Sequence, residues 1–300
     1  MTERTDNFIK EVGCILENDL MKTLINQETF SSCVMDNTRL LWSYSAAYGY
    51  FGKREYLLAA SKTRDRFINI FTDHKFGGVF WSVKENGERT DTTIRLSALG
   101  SAIYALSEFH KSTGDEEALK AAINLYNITE KEFRTEKGYR EAATRDFRFI
   151  EEQEKAESIL ILLEGYANLY SQWRQKGLKA DTVGLINLLK TDDLNITGKL
   201  EASWSLLADT FIMKDFDLIN RIKPFSYRFG KSINCPGQYL NTKIESVIAD
   251  LWLWKYHNDT YGAARAMKTW KSIMEEKDNV IASCPSRGVR MCIQCLRIFD

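Results

Sequence analysis

The segment Gly52-Lys53-Arg54-Glu55-Tyr56-Leu57-Leu58-Ala59-Ala60 returns at an offset of 62 residues as Gly114-Asp115-Glu116-Glu117-Ala118-Leu119-Lys120-Ala121-Ala122. Glycine, a glutamate, a leucine and an alanine pair keep their places. Each copy opens a helix behind a glycine, the residue that most readily ends the preceding helix in a left-handed conformation. Each is followed by a short glycine and aromatic segment, Gly77-Gly78-Val79-Phe80-Trp81 and Gly138-Tyr139-Arg140-Glu141-Ala142. A helix-pair repeat of this length implies a closed or stacked α/α array, because one pair cannot bury its own apolar face.

Apolar residues recur at helical spacing through almost the whole chain, and only three prolines interrupt it. Period and breaker signals predict about twelve helices, near 4–25, 36–51, 54–73, 93–112, 115–133, 152–175, 178–190, 197–213, 215–229, 240–257, 259–277 and 287–299. Twelve helices make six hairpins. The stretch Gly78 to Arg89 alternates apolar and polar residues up to Asn86-Gly87, a strong β-hairpin signal, so a short hairpin is expected on one end of the array. No linker or composition break divides the sequence, which predicts one domain over 1–300.

The chain of 300 residues is 44% hydrophobic, enough for a sizeable core, and its 41 basic residues balance 41 acidic ones. That balance argues against nucleic acid or an anionic membrane as partner and favours a neutral small molecule. The polar start, Met1 to Asp6, and the lack of a long apolar run predict a cytoplasmic protein without membrane spans. Six scattered cysteines are then expected as reduced thiols. Cys292-Ile293-Gln294-Cys295 with Cys235 and Cys284 can be drawn as a four-thiolate zinc site. A lone Cys-x-x-Cys inside a predicted helix lacks the second knuckle of such sites, however, so buried free thiols are the expectation.

Several segments in order resemble the N-acylglucosamine 2-epimerase and cellobiose 2-epimerase family. They are Arg39-Leu40-Leu41-Trp42-Ser43-Tyr44, Gly77-Gly78-Val79-Phe80-Trp81, Ala102-Ile103-Tyr104-Ala105-Leu106-Ser107-Glu108, Leu163-Glu164-Gly165-Tyr166, Glu201-Ala202-Ser203-Trp204 and Arg290-Met291-Cys292. The resemblance implies an all-α fold, an (α/α)6 barrel or six-hairpin toroid with short β-hairpins on one face. It implies a mono- or disaccharide in the barrel mouth, sugar isomerase or epimerase chemistry at C2, and no cofactor or metal. Some relatives pair through barrel faces, which leaves a homodimer open.

The same resemblance exposes a gap. Removing and returning a carbon-bound proton near neutral pH calls for a group of matching pKa on each face, a task suited to histidine. Where the family implies histidines, this chain reads Ile159 and Ile161, then Gly198, then Arg287. Arginine stays protonated and cannot be a base. The histidines present, His74, His110 and His257, fall near predicted helix ends and read as surface or last-turn residues.

Polar residues do match family positions. Arg39, Trp204, Glu157 and Arg287 are candidate sugar-binding residues, and Glu201 and Glu245 are candidate catalytic carboxylates. The three-residue spacing puts Glu201 and Trp204 on one helix face, where an acid binds hydroxyls and an indole packs on a pyranose. The competing reading makes Trp204 core and pairs Glu201 with a structural arginine such as Arg39. The pocket also differs at Ser97-Ala98-Leu99-Gly100-Ser101 and Leu240-Asn241, which lack expected aromatics, and the first inter-helix loop is cut to about Asn26–Asp36. Three functions stay open: a non-catalytic binder of a sugar or protein, an epimerase, isomerase or glycosidase using carboxylates, and a structural protein with a vestigial pocket.

Overall fold

The computed structural model describes residues 3–26, 30–151, 153–232, 240–283 and 285–299. Cys235 and Cys284, and part of the Asn26–Asp36 loop, lie outside them. The helices are α1 (Glu3–Ile15), α2 (Lys22–Asn26), α3 (Val34–Phe51), α4 (Arg54–Arg66), α5 (Leu96–Thr113), α6 (Glu116–Ile128), α7 (Ala156–Gln172), α8 (Lys176–Leu188), α9 (Ile196–Met213), α10 (Phe216–Ser232), α11 (Leu240–His257), α12 (Gly262–Glu275), α13 (Lys277–Ser283) and α14 (Pro285–Phe299). A π-helical turn, Leu16–Met21, joins α1 to α2. Each of the twelve predicted helices is present. The addition is α13: periodicity runs one helix through to 277, but Glu276 leaves the helical backbone and the chain restarts at Lys277.

The chain forms two compact units, residues 29–193 and residues 1–28 with 194–300. In the first, three hairpins, α3/α4, α5/α6 and α7/α8, follow in order, with α5 packed between α3 and α7. The repeat is explained by its turns. Gly52 and Gly114 both take left-handed backbone (φ 67° and 76°), and their amides bond Tyr48 and His110 carbonyls at 2.8 and 2.7 Å. Asp115 then caps α6 by accepting from the Ala118 amide. The repeat extends further than its sequence identity: α4 and α6 both end in π-helical turns, Phe67–Phe71 and Thr129–Phe133, whose final phenylalanines are fully buried.

Strands β1 (Ser82–Val83) and β2 (Arg89–Asp91) form the hairpin marked by Asn86-Gly87. Strands β3 (Ile94–Arg95), β4 (Ala142–Ala143) and β5 (Phe149–Glu151) form a second antiparallel sheet in that order. Its turn carries Phe147 at φ 60°, a non-glycine in left-handed backbone, which sequence pattern does not announce. Gly100 has a packing reason: a Cβ there would lie 2.7 Å from the Leu162 Cα, and one on Gly165 would lie 2.5 Å from the Gly100 carbonyl oxygen. The backbones of α5 and α7 touch here. Ser101 meanwhile bonds Thr38 of α3 at 2.6 Å.

In the second unit the hairpins are α9/α10 and α11/α12, and α14 pairs with α1. Phe8 of α1 packs edge-on against Trp270 of α12 and Phe299 of α14. Helix α11 lies between α9 and α14, and its buried face carries Ile244, Glu245, Ile248 and Leu251. Cys292 and Cys295 are free, fully buried thiols, and burial pushes both far above the usual thiol range. No described helix is long and apolar enough to cross a membrane.

Candidate functional site

Three neighbouring helices of the second unit bring four polar side chains together. Asn195 caps α9, accepting from the Gly198 amide at 2.8 Å, and the helix presents Glu201 and Trp204 on one face. Helix α11 supplies Glu245 and α14 supplies Arg290. The Trp204 indole donates from Nε1 to Glu245 Oε2 at 2.9 Å, and Arg290 Nη1 donates to Glu201 Oε1 at 2.5 Å. The Arg290 guanidinium also lies over the Trp204 ring, 5.1 Å from its centroid.

Accessibility separates the two acids. The Glu201 side chain is 24% exposed, while Glu245 is 4% exposed and Trp204 2%. Burial raises the Glu245 carboxyl, and the Glu201 charge adds to the rise. Arg290, the Trp204 hydrogen bond and Arg287 oppose it, leaving Glu245 at about 7. The arrangement is a half-buried carboxylate gripped by arginine, backed by a carboxyl that burial raises to about 7 behind an indole.

The sequence-predicted residues divide between the units. Glu201, Trp204, Glu245 and Arg287 share the second unit, and Arg287 is close enough for its charge to act on Glu245. Arg39 and Glu157 belong to the first. Arg39 pairs with Asp36 of its own helix at 3.2 Å and is 43% exposed, so the partner of Glu201 is Arg290 and not Arg39. Glu157 is exposed in the first turn of α7. Arg290 was quoted in the sequence for its motif but not as a site residue. Its three-residue spacing from Arg287, which puts both on one face of α14, is the signal that could have found it.

At the positions where histidine is implied, Ile159 is buried and Gly198 is enclosed, with Leu194 side-chain atoms 3.3 and 3.4 Å from where a Cβ would stand. The present histidines are engaged locally. His74 bonds the Ile68 carbonyl, His110 bonds that of Asp115, and His257, lowered by burial and by Lys223, lies at a tilt against the Tyr227 ring.

Helical hairpins ordered in this way define an (α/α)6 barrel of the sugar-epimerase type. A sugar epimerase from a ruminal bacterium superposes with TM-score 0.88 at 20% identity, covering 97% of this chain and 98% of that one. The cellobiose 2-epimerase of Spirochaeta thermophila gives 0.89 at 17% identity, covering 99% and 98%. Residues 22–225 match the family model for N-acylglucosamine 2-epimerase (GlcNAc 2-epimerase), and the chain belongs to that family. The cellobiose 2-epimerase of Bacteroides fragilis is 35% identical over 222 residues, 63% of this chain and 57% of that enzyme. The chain spans about half the length of the curated relatives it matches.

Proposed function

We propose that this protein is a cytoplasmic carbohydrate-binding member of its family in which two-base epimerisation at C2 is absent. One observation carries the reading: the more accessible carboxylate, Glu201, is held by Arg290 at 2.5 Å. A base that removes a carbon-bound proton must have its lone pair free and its pKa near the working pH. Glu201 meets a guanidinium, and Glu245, whose pKa suits the task, is buried and hydrogen-bonded by Trp204. The second Glu201 oxygen has no partner among the described residues, which leaves it able to accept from a sugar hydroxyl.

The test incubates the protein in deuterated water with glucose, mannose, N-acetylglucosamine, N-acetylmannosamine and cellobiose, following C2 by NMR and mass, with a thermal-shift series on the same sugars. Binding without exchange is expected. Deuterium at C2 would overturn the reading and transfer attention to Glu245 as the base.

A further inference from the structure

Arg287 stands in the first turn of α14, half-buried, and makes no hydrogen bond, ion pair or ring contact with any other described residue. Such a position is unfavourable in itself. A cation in a first turn faces the positive end of the helix dipole, so the residue does not stabilise its own helix. A half-buried arginine with no hydrogen-bond acceptor among the described residues is also poorly compensated by its surroundings. Its neighbours sharpen the point: the nearby Arg290 is already matched by Glu201, and Glu245 is enclosed with the Trp204 indole on one oxygen. The charge of Arg287 meets only the enclosed Glu245, with no hydrogen-bond acceptor among the described residues, and one turn along the same face of α14 Arg290 holds just one of the two Glu201 oxygens.

We propose that this face takes a carbohydrate carrying an oxyanion, a uronate in first place, whose carboxylate pairs with Arg287 while a ring hydroxyl donates to Glu201. The proposal rests on the carbohydrate-binding reading above and specifies its ligand. A planar guanidinium accepts a carboxylate through two parallel N–H···O bonds, a geometry lysine cannot supply. Glu201 discriminates in the other sense, since it repels a bare anion and rewards a hydroxyl donor. The pair therefore selects a molecule with both groups. Helices α11 and α14 also lie beyond residues 22–225, the part of the chain that matches the family model, so this half of the site is where the chain is freest to differ.

The experiment is isothermal titration of the full chain at low salt with glucose, glucuronate, glucose 6-phosphate and acetate, on the wild type, Arg287→Met and Arg287→Lys. Glucuronate should bind at least about tenfold more tightly than glucose, the scale of one charge-assisted hydrogen-bonded pair. Arg287→Met should bring the two sugars together, with Arg287→Lys between. A preference for glucose 6-phosphate over glucuronate would support the inference and name phosphate as the oxyanion. Equal affinity for glucose and glucuronate would overturn it while leaving the carbohydrate reading intact, and binding of neither sugar would overturn both. Acetate binding as tightly as glucuronate would also sink it, by showing a simple anion site. Should Arg287→Met lose its helical circular dichroism, the wild-type ratio and Arg287→Lys decide.

Discussion

Glu245 binds its proton more tightly in the folded chain than in the unfolded one, because burial and the Glu201 charge outweigh Arg290, Trp204 and Arg287. The folded state therefore holds more protons between the ordinary glutamate range and about pH 7. By linkage, the stability this group contributes is fully present below that range and lost as pH rises through about 7. Asp250, which burial raises to about 6 against the Arg265 ion pair, acts in the same direction. The melting temperature should fall across this window, and Glu245→Gln, which keeps an acceptor for Trp204, should flatten the slope. A Glu245→Gln profile parallel to the wild type would refute the assignment. Asp73 works oppositely at the acid end. Its burial is outweighed by hydrogen bonds from Arg145 and the Lys75 and Phe76 amides, which hold it at about 2, so its contribution is lost as pH falls toward that value. Of this site, the sequence made the Glu201 and Trp204 face legible, because spacing along one helix is a local property. It did not show that Glu201 meets Arg290, since that pairing depends on how α9 and α14 rotate about their own axes. The competing pairing of Glu201 with Arg39 gives way to Arg290, and Arg39 pairs instead with Asp36 of its own helix.

At the scale of elements, the contact between α5 and α7 depends on two glycines. Gly165→Ala places a Cβ 2.5 Å from the Gly100 carbonyl oxygen, a backbone atom that no rotamer change can move away. The helices must separate, and a loss of about 1–3 kcal/mol is expected from urea unfolding. A neutral result would mean that the two helices are not fixed at this distance. Gly184 offers the control: nothing lies within 4 Å of its added Cβ, and Gly184→Ala should stabilise α8 slightly. Helices and their turns were legible because period, glycine and capping are all local signals. The second hairpin was less so, because its turn uses Phe147 in left-handed backbone where pattern reading looks for glycine or asparagine. The stretch 97–101 reads in sequence only as one that lacks expected aromatics, and the approach of two backbones is what shows the purpose of its Gly100.

For the whole molecule, we propose that the chain behaves as the single domain its unbroken composition predicts. Calorimetry should then give one transition whose calorimetric and van't Hoff enthalpies agree, and two resolved transitions would divide it. The unit that contains α9 to α14 also contains α1, which packs on α14 with Phe8 and Val12 buried, as is Leu16 at the start of the π-helical turn. Removing residues 1–26 should unfold that unit, seen as loss of Trp204 and Trp270 protection in fluorescence quenching. Retained protection would show that α1 is dispensable.

The pairing of α1 with α14 also sets a timetable for synthesis. Phe8 touches Phe299, a partner made about 290 residues later, which at ordinary translation speeds is roughly 15–60 s. For that interval α1 carries an apolar stripe whose cover on α14 has not yet been made. An apolar stripe that waits this long for its partner is open to other apolar surfaces in the meantime, which is where nascent-chain chaperones act.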